Sequence, residues 1–300
     1  MQNIQGSIVA LVTPMHPDGS VDFDALKFLV EWHIKEGTQG IVSVGTTGES
    51  ATLNNDEHIE VIKKTLEYSQ NKLPIIAGTG ANSTQEAIDL TKEAANLGCK
   101  FSLQVTPYYN KPPQNGMKKH FISIAEASDA KILLYNVPGR TSCDLLPSTV
   151  AELIQHPNII GIKEALADSS RIKELVSLRN KINPDFVLLS GDDHTFCSAM
   201  EEGFNGVISV AANIIPGACS KIASLALAHQ FQEAAQLNKK YEFLYDLLFC
   251  QSNPIPAKWM LEKMKFIKSG IRLPLIELDP MYHNEVESVL KTLSLINEYR

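Results

Sequence analysis

Short, nearly continuous apolar runs punctuate the first three quarters of the chain, at Ser7–Thr13, Gly40–Val44, Pro74–Ala77, Phe101–Thr106, Ile132–Asn136, Ile159–Lys163, Phe186–Ser190 and Val207–Val210. Strands covered on both faces read this way, whereas half-exposed strands alternate. Between the runs the apolar spacing becomes helical. Asp22–Glu36 brings Phe23, Leu26, Leu29, Val30 and His33 near one face, and Asp56–Ser69 does the same for Ile59, Ile62, Leu66 and Ser69. About eight such strands alternating with helices over roughly 200–250 residues predict an α/β fold, a (β/α)8 TIM barrel. A doubly wound open sheet is the competing architecture. After Val210 the strand pattern stops, and Gly217–Ala235, Leu237–Cys250, Pro256–Lys268 and Asn284–Tyr299 read as helices. The expected division is a barrel over residues 1–226 and a C-terminal helical domain over residues 227–300.

Composition narrows the function classes. With 300 residues, 44% of them hydrophobic, the chain can bury a large core. A formal charge of −7 without any basic run argues against nucleic acid or an anionic membrane as partner. No apolar segment approaches the roughly 18–20 residues that span a bilayer, and the first residues lack a basic leader pattern. The expectation is a soluble cytoplasmic protein whose partners are small molecules and other copies of itself. Cys99, Cys143, Cys197, Cys219 and Cys250 are widely spaced with no C-x-x-C pair, so they are expected to be reduced.

Candidate chemistry gathers where the strands end, the rim on which barrel enzymes build their sites. Lys163 closes the run Ile159–Ile162. Burial disfavours an ammonium, and a neutral amine can attack a ketone to give a Schiff base and then an enamine. Alone, such a lysine reads as one reaching from a strand end into solvent. Its company argues otherwise. Gly45-Thr46-Thr47-Gly48-Glu49-Ser50 follows strand two, with glycines that permit a tight turn whose N–H groups and hydroxyls could hold a carboxylate, or simply cap the next helix. Tyr108 and Tyr109 follow strand four, between prolines, and suit an interface as well as a site. Tyr135 and Arg140 follow strand five. A phenol can relay protons and a guanidinium fork matches a carboxylate, although a core tyrosine and a surface ion-pairing arginine look the same in sequence.

Two other patterns are discounted. Gly78-Thr79-Gly80-Ala81-Asn82-Ser83 lacks the final glycine of a dinucleotide fingerprint and has no acidic partner at the expected distance. Asp192-Asp193-His194 has no second histidine or cysteine group at ligand spacing, and reads as helix capping rather than a metal site. No metal or cofactor is expected.

Taken together, Gly45–Glu49, Val105–Asn110, Tyr135–Thr141 and Gly161-Ile162-Lys163-Glu164 resemble the dihydrodipicolinate synthase family. Leu188–Asp193, Gly206–Val210 and Asn253-Pro254-Ile255-Pro256-Ala257-Lys258-Trp259 carry the resemblance over essentially the whole chain. The resemblance implies a homotetramer, a dimer of dimers, that condenses pyruvate with L-aspartate 4-semialdehyde on the route to diaminopimelate and lysine. It further implies that Lys163 forms the imine and that Tyr135, Thr46 and Tyr109 relay protons, with Tyr109 reaching into the adjacent subunit. Thr47, Arg140, Gly191 and Ile208 would bind substrate, Arg140 taking the semialdehyde carboxylate. Ser50, Ala51, Asn55, His58, Asn82, Glu86 and Tyr108 match a site for L-lysine as an allosteric inhibitor, with Asn55 standing where some lysine-sensitive relatives have histidine. N-acetylneuraminate lyases and 2-keto-3-deoxy sugar-acid aldolases share the Schiff-base apparatus. The Thr46-Thr47 pair and Arg140 favour the synthase over them, and the retention of Lys163, Tyr135, Thr46, Tyr109 and Arg140 argues against a noncatalytic barrel that binds a keto acid or lysine.

Overall fold

The eight apolar runs become eight parallel strands in a computed structural model that describes residues 4–296. They are β1 (Gly6–Ala10), β2 (Gly40–Ser43), β3 (Ile75–Gly78), β4 (Phe101–Val105), β5 (Lys131–Asn136), β6 (Ile159–Glu164), β7 (Val187–Ser190) and β8 (Gly206–Ser209). The strands follow one another around a closed barrel, and β8 pairs with β1. The chain is therefore a (β/α)8 barrel and the open-sheet alternative is excluded.

Along each strand successive side chains point to opposite faces. Ile8, Ala10, Val42, Ile76, Leu103, Leu133, Leu189 and Ile208 fill the interior. Their neighbours Val9, Ile41, Ile75, Leu134, Ile162 and Leu188 pack outward against the helices. Burial on both faces is why the runs are apolar without a break.

The surrounding helices are α1 (Phe23–Lys35), α2 (Asn55–Ser69), α3 (Thr84–Asn96), α4 (Gln114–Glu126), the short α5 (Pro138–Thr141), α6 (Pro147–Leu153), α7 (Ser169–Ile182), α8 (Phe196–Glu202) and α9 (Pro216–Leu227). Asp22, Asn54, Ser83 and Asp168 start four of them by accepting a hydrogen bond from the N–H three residues on, and Glu57 completes a capping box on α2. α2 turns a slightly different face inward than the apolar spacing predicts. His58, Val61, Ile62, Thr65 and Ser69 are buried, while Ile59 and Leu66 pack at the margin. Polar residues are tolerated there because Thr65 Oγ1 donates to the Val61 carbonyl and a His58 ring nitrogen bonds the Gly78 carbonyl at 2.8 Å.

The first run also ends early. Leu11–Thr13 stays buried, and Leu11 N–H still donates to the Val42 carbonyl at 3.1 Å, but Val12 N–H turns to Asn213 Oδ1 and Thr13 Oγ1 donates to the Gly48 carbonyl.

The C-terminal region is more broken than its apolar spacing suggests. The stretch Gly217–Ala235 divides into α9 and α10 (Phe231–Lys239), with His229 in the left-handed region at φ 59°. Only Glu242–Leu247 of the next stretch adds a further helix, α11. α12 (Ile255–Lys263) stops short of Lys268, with Lys265 at φ 62°. α13 (Pro280–Thr292) begins earlier than Asn284 because Asp279 caps it and Pro280 suits its first turn. Tyr299, the expected end of that helix, lies outside the described residues. A single apolar cluster joins Val9, Leu11 and Ile41 of the barrel to Leu244, Trp259, Met260 and Leu290. Among the described residues, no helix is long and apolar enough to cross a membrane.

The seam between β1 and β8 depends on an absent side chain. A Cβ on Gly206 would lie 2.1 Å from Gly6 O and 2.5 Å from Gly6 N, both backbone atoms. Gly206→Ala is expected to cost about 1–3 kcal/mol or more, read as a fall in thermal midpoint; an unchanged midpoint would mean that the seam parts freely.

Candidate active site

Strand register assembles the centre of the site. Tyr135 on β5 lies opposite Lys163 on β6, and both point into the barrel. Lys163 is only 6% exposed, and its Nζ stands 4.3 Å from the centroid of the Tyr135 ring. The carboxylate adjacent in sequence does not neutralise it, because Glu164 faces the helix layer. There Glu164 accepts from Asn136 Nδ2 at 3.0 Å, from Leu166 N–H at 2.8 Å and from Arg171 Nη1 at 3.2 Å. Arg171 also grips Asp144 at 2.7 Å. The Arg171 hydrogen bond holds the Asp144 carboxyl below the usual carboxylate range, whereas burial pushes Glu164 up despite its donors.

The Gly45–Ser50 turn forms a second wall. Val44 leads into it in the left-handed region at φ 56°, an outlier for a β-branched residue. Its carbonyl has room because a Cβ on Gly78 would lie 2.3 Å from Val44 O. Gly80 likewise admits the backbone of Val105, so both glycines of the discounted dinucleotide pattern serve close packing. Within the turn, the N–H groups of Gly48, Glu49 and Ser50 bond back to the carbonyls of Gly45 and Thr46. Among the described residues, the N–H groups of Thr46 and Thr47 find no backbone acceptor.

Thr46, Thr47, Tyr135, Arg140, Lys163 and Gly191 line one cavity of about 140 Å³. Gly191 makes space for the amine: a Cβ there would lie 2.8 Å from Lys163 Cε and 2.7 Å from Ala165 Cβ. Ile208 lies in the barrel interior, and Val210, two residues on, supplies the β8 side of the wall. Tyr109 is not part of this cavity. It is 90% exposed, at φ 73°, in a loop braced by Asn110 Nδ2 donating to the Asn82 carbonyl at 2.8 Å.

Strand-end reasoning from the sequence misses two wall residues, Phe249 and Asn253, both from the C-terminal region. Asn253 Nδ2 donates to Thr47 Oγ1 at 2.9 Å, its carbonyl accepts from Arg140 Nη2 at 3.4 Å, and its buried Oδ1 has no partner among the described residues. For Asn253 the signal is the Asn253–Trp259 stretch that carries the family resemblance; Phe249 has no such signal.

A larger cavity of about 310 Å³ adjoins the first and shares Thr46, Val137 and Arg140 with it. Ser50, Ala51, Asn55, His58, Glu86 and Tyr108 line it. Asn82 is not on its wall but donates to the Tyr108 carbonyl at 3.2 Å. Burial lowers the His58 pKa, and burial followed by the charge of Glu86 raises that of Tyr108. The Asp192-Asp193-His194 side chains diverge. Asp193 accepts from Ser209 Oγ and the N–H groups of Val210 and Ala211, Asp192 accepts from Thr195, and His194 meets Asp246 at 3.1 Å.

The dihydrodipicolinate synthetase family model matches residues 3–293. The chain belongs to this family. A 4-hydroxy-tetrahydrodipicolinate synthase from Laribacter hongkongensis is 50% identical over 293 residues, covering 98% of this chain and 100% of the relative. That of Pseudoalteromonas atlantica is 48% identical, covering 97% and 99%. Among solved structures, the chloride-inhibited dihydrodipicolinate synthase of Acinetobacter baumannii complexed with pyruvate is 50% identical, with a TM-score of 0.95 over 98% of this chain and 100% of the other. The Cyanidioschyzon merolae enzyme with lysine bound is 36% identical, with a TM-score of 0.92 over 97% and 99%.

Removing Arg171 tests the charge network behind the lysine. Arg171→Met leaves two carboxylates without their cation, and breaking such a partly buried pair costs about 3–5 kcal/mol. A depressed carboxyl such as Asp144 contributes its stability above the unfolded value of about 4 and loses it as pH falls through the folded value. Glu164, raised by burial, is hardest to keep in the fold when ionised. The penalty should therefore be largest at neutral pH and narrow below about pH 4. Urea unfolding at both pH values checks this, and a pH-independent penalty would point to lost packing instead.

Proposed function

We propose that this chain catalyses the 4-hydroxy-tetrahydrodipicolinate synthase reaction, the condensation of pyruvate with L-aspartate 4-semialdehyde, in the cytoplasm. The observation that carries the reading is Lys163, buried at the barrel rim against Tyr135 in a chamber that also presents Thr46, Thr47 and Arg140. The full-length relatives named above support the choice of reaction.

The pyruvate carboxylate lies against the Thr47 hydroxyl and the free N–H groups of the turn. The Lys163 amine adds to the keto carbon and water leaves, forming the imine. Loss of a methyl proton gives the enamine, whose carbon attacks the aldehyde while Arg140 holds the semialdehyde carboxylate. Tyr135, Thr46 and Tyr109 pass the protons. The amino group of the second substrate then attacks the imine carbon, closes the ring and frees Lys163. The sequence is redox-neutral and balances without an external oxidant or reductant. Gly191 leaves room for the lysine stem, and the Ile208 backbone borders the pyruvate side.

In this reading residues 1–226 form the catalytic barrel and 227–300 the helical domain. Tyr109 is supplied by an adjacent copy in a homotetramer built as a dimer of dimers. Its exposure and its loop position support that role. L-lysine is the proposed inhibitor, seated in the larger cavity with its ammonium on Glu86. Asn55 replaces the histidine of some relatives there, which removes a titratable contact.

The decisive experiment measures condensation coupled to the next reductase, beside borohydride trapping of the pyruvate adduct. Wild-type protein should turn over and trap pyruvate at Lys163, while Lys163→Ala should lose roughly 10³-fold or more in kcat. No turnover by folded, oligomeric protein would move the reading to a sugar-acid aldolase or a noncatalytic barrel. For regulation, Glu86→Ala should raise the lysine concentration for half-inhibition about tenfold, the scale of one charge-assisted hydrogen bond. An unchanged value would remove Glu86 from the site.

A further inference from the structure

One ion pair near the site is more deeply buried than the chemistry above requires. The Glu49 side chain is 0% exposed and that of Lys258, on α12, is 5% exposed; they are joined across 209 positions of sequence. The second Glu49 oxygen accepts from Arg272 N–H at 3.2 Å. Taking two charges out of water is costly, and apolar residues of similar volume would often serve stability as well or better. What a charge pair adds is direction.

That direction falls on the turn holding Thr46 and Thr47. Glu49 is itself left-handed, at φ 57°, a backbone state that persists in a non-glycine residue only where the surroundings enforce it. Its N–H donates to the Thr46 carbonyl at 3.1 Å and its carbonyl accepts from Thr52 N–H at 3.0 Å. Rotation of Glu49 would therefore displace Thr46 directly. Five residues before Lys258, Asn253 holds the Thr47 hydroxyl at 2.9 Å, so the same segment grips the turn twice. Lys258 does not line the 140 Å³ cavity, and whatever it does there it does through Glu49.

We propose that Lys258 is a positioning residue which, through Glu49, sets the Thr46-Thr47 turn and thereby the grip on the pyruvate carboxylate. This rests on the synthase reading. The test is steady-state kinetics of the full chain with both substrates varied, together with adduct trapping as a function of pyruvate. In Lys258→Met, KM for pyruvate and the pyruvate needed for half-maximal trapping should rise about tenfold or more, with KM for the semialdehyde within about twofold. Unchanged constants in a folded protein of lowered thermal midpoint would reduce the pair to a structural role and overturn the proposal, as would an equal rise in both KM values. If Lys258→Met does not fold, the near-isosteric Glu49→Gln is measured on the same constants; a selective rise for pyruvate supports the proposal and its absence overturns it. An inactive wild type would sink the synthase reading itself, whereas an active wild type with no selective pyruvate effect in the variant sinks only the role of Lys258.

Discussion

The constraint on which the site depends is the two-residue period of neighbouring strands held in register. At the ends of β5 and β6 it sends Tyr135 and Lys163 into the barrel and Asn136 and Glu164 into the helix layer. One face acquires an amine against a phenol, and the other acquires a carboxylate that must be satisfied out of water. Asn136 and Arg171 do so, and Asp144 completes the cluster. A slip of one residue would exchange the two faces, placing a carboxylate in the chamber and a lysine among the helices. The outer hydrogen bonds therefore help to specify the inner chemistry without touching it.

The C-terminal helices finish this arrangement. Phe249 and Asn253 close the small chamber, and Lys258 and Arg272 reach the loop after β2. Arg272 additionally forks onto Glu57, the residue that completes the cap of α2, and donates to the carbonyls of Thr52 and Gly19. Combined with the shared apolar cluster, these bonds make the helical region part of the frame of the rim.

Much of this is legible in the sequence. Eight doubly covered strands announce themselves as unbroken apolar runs, and a barrel concentrates its chemistry at their ends, so Lys163, Tyr135, Arg140 and the Thr46-Thr47 turn stand out by occurring together at strand ends, although each alone reads equally well as a structural residue. The C-terminal breaks do not, because His229 and Lys265 adopt left-handed backbone without the glycine that would mark it. Asn253 and Phe249 escape for a different reason. They arrive at the chamber from a helical region, Asn253 across 206 positions from the turn it faces, where strand-end reasoning has no purchase. Tyr109 can be picked out but not joined to the chamber within one chain, where it is 90% exposed and off the cavity wall.

The wall common to the two cavities has a thermodynamic meaning. Thr46, Val137 and Arg140 belong to both, so the chambers are not independent compartments. A guest in the larger chamber that reorients Arg140 must alter the free energy of a guest in the smaller one. Linkage makes that coupling reciprocal: by whatever factor the first occupant weakens the second, the second weakens the first. A rising concentration of any ligand that engages Arg140 from the smaller chamber would then loosen a ligand of the larger one by the same factor, although the two never compete for the same space.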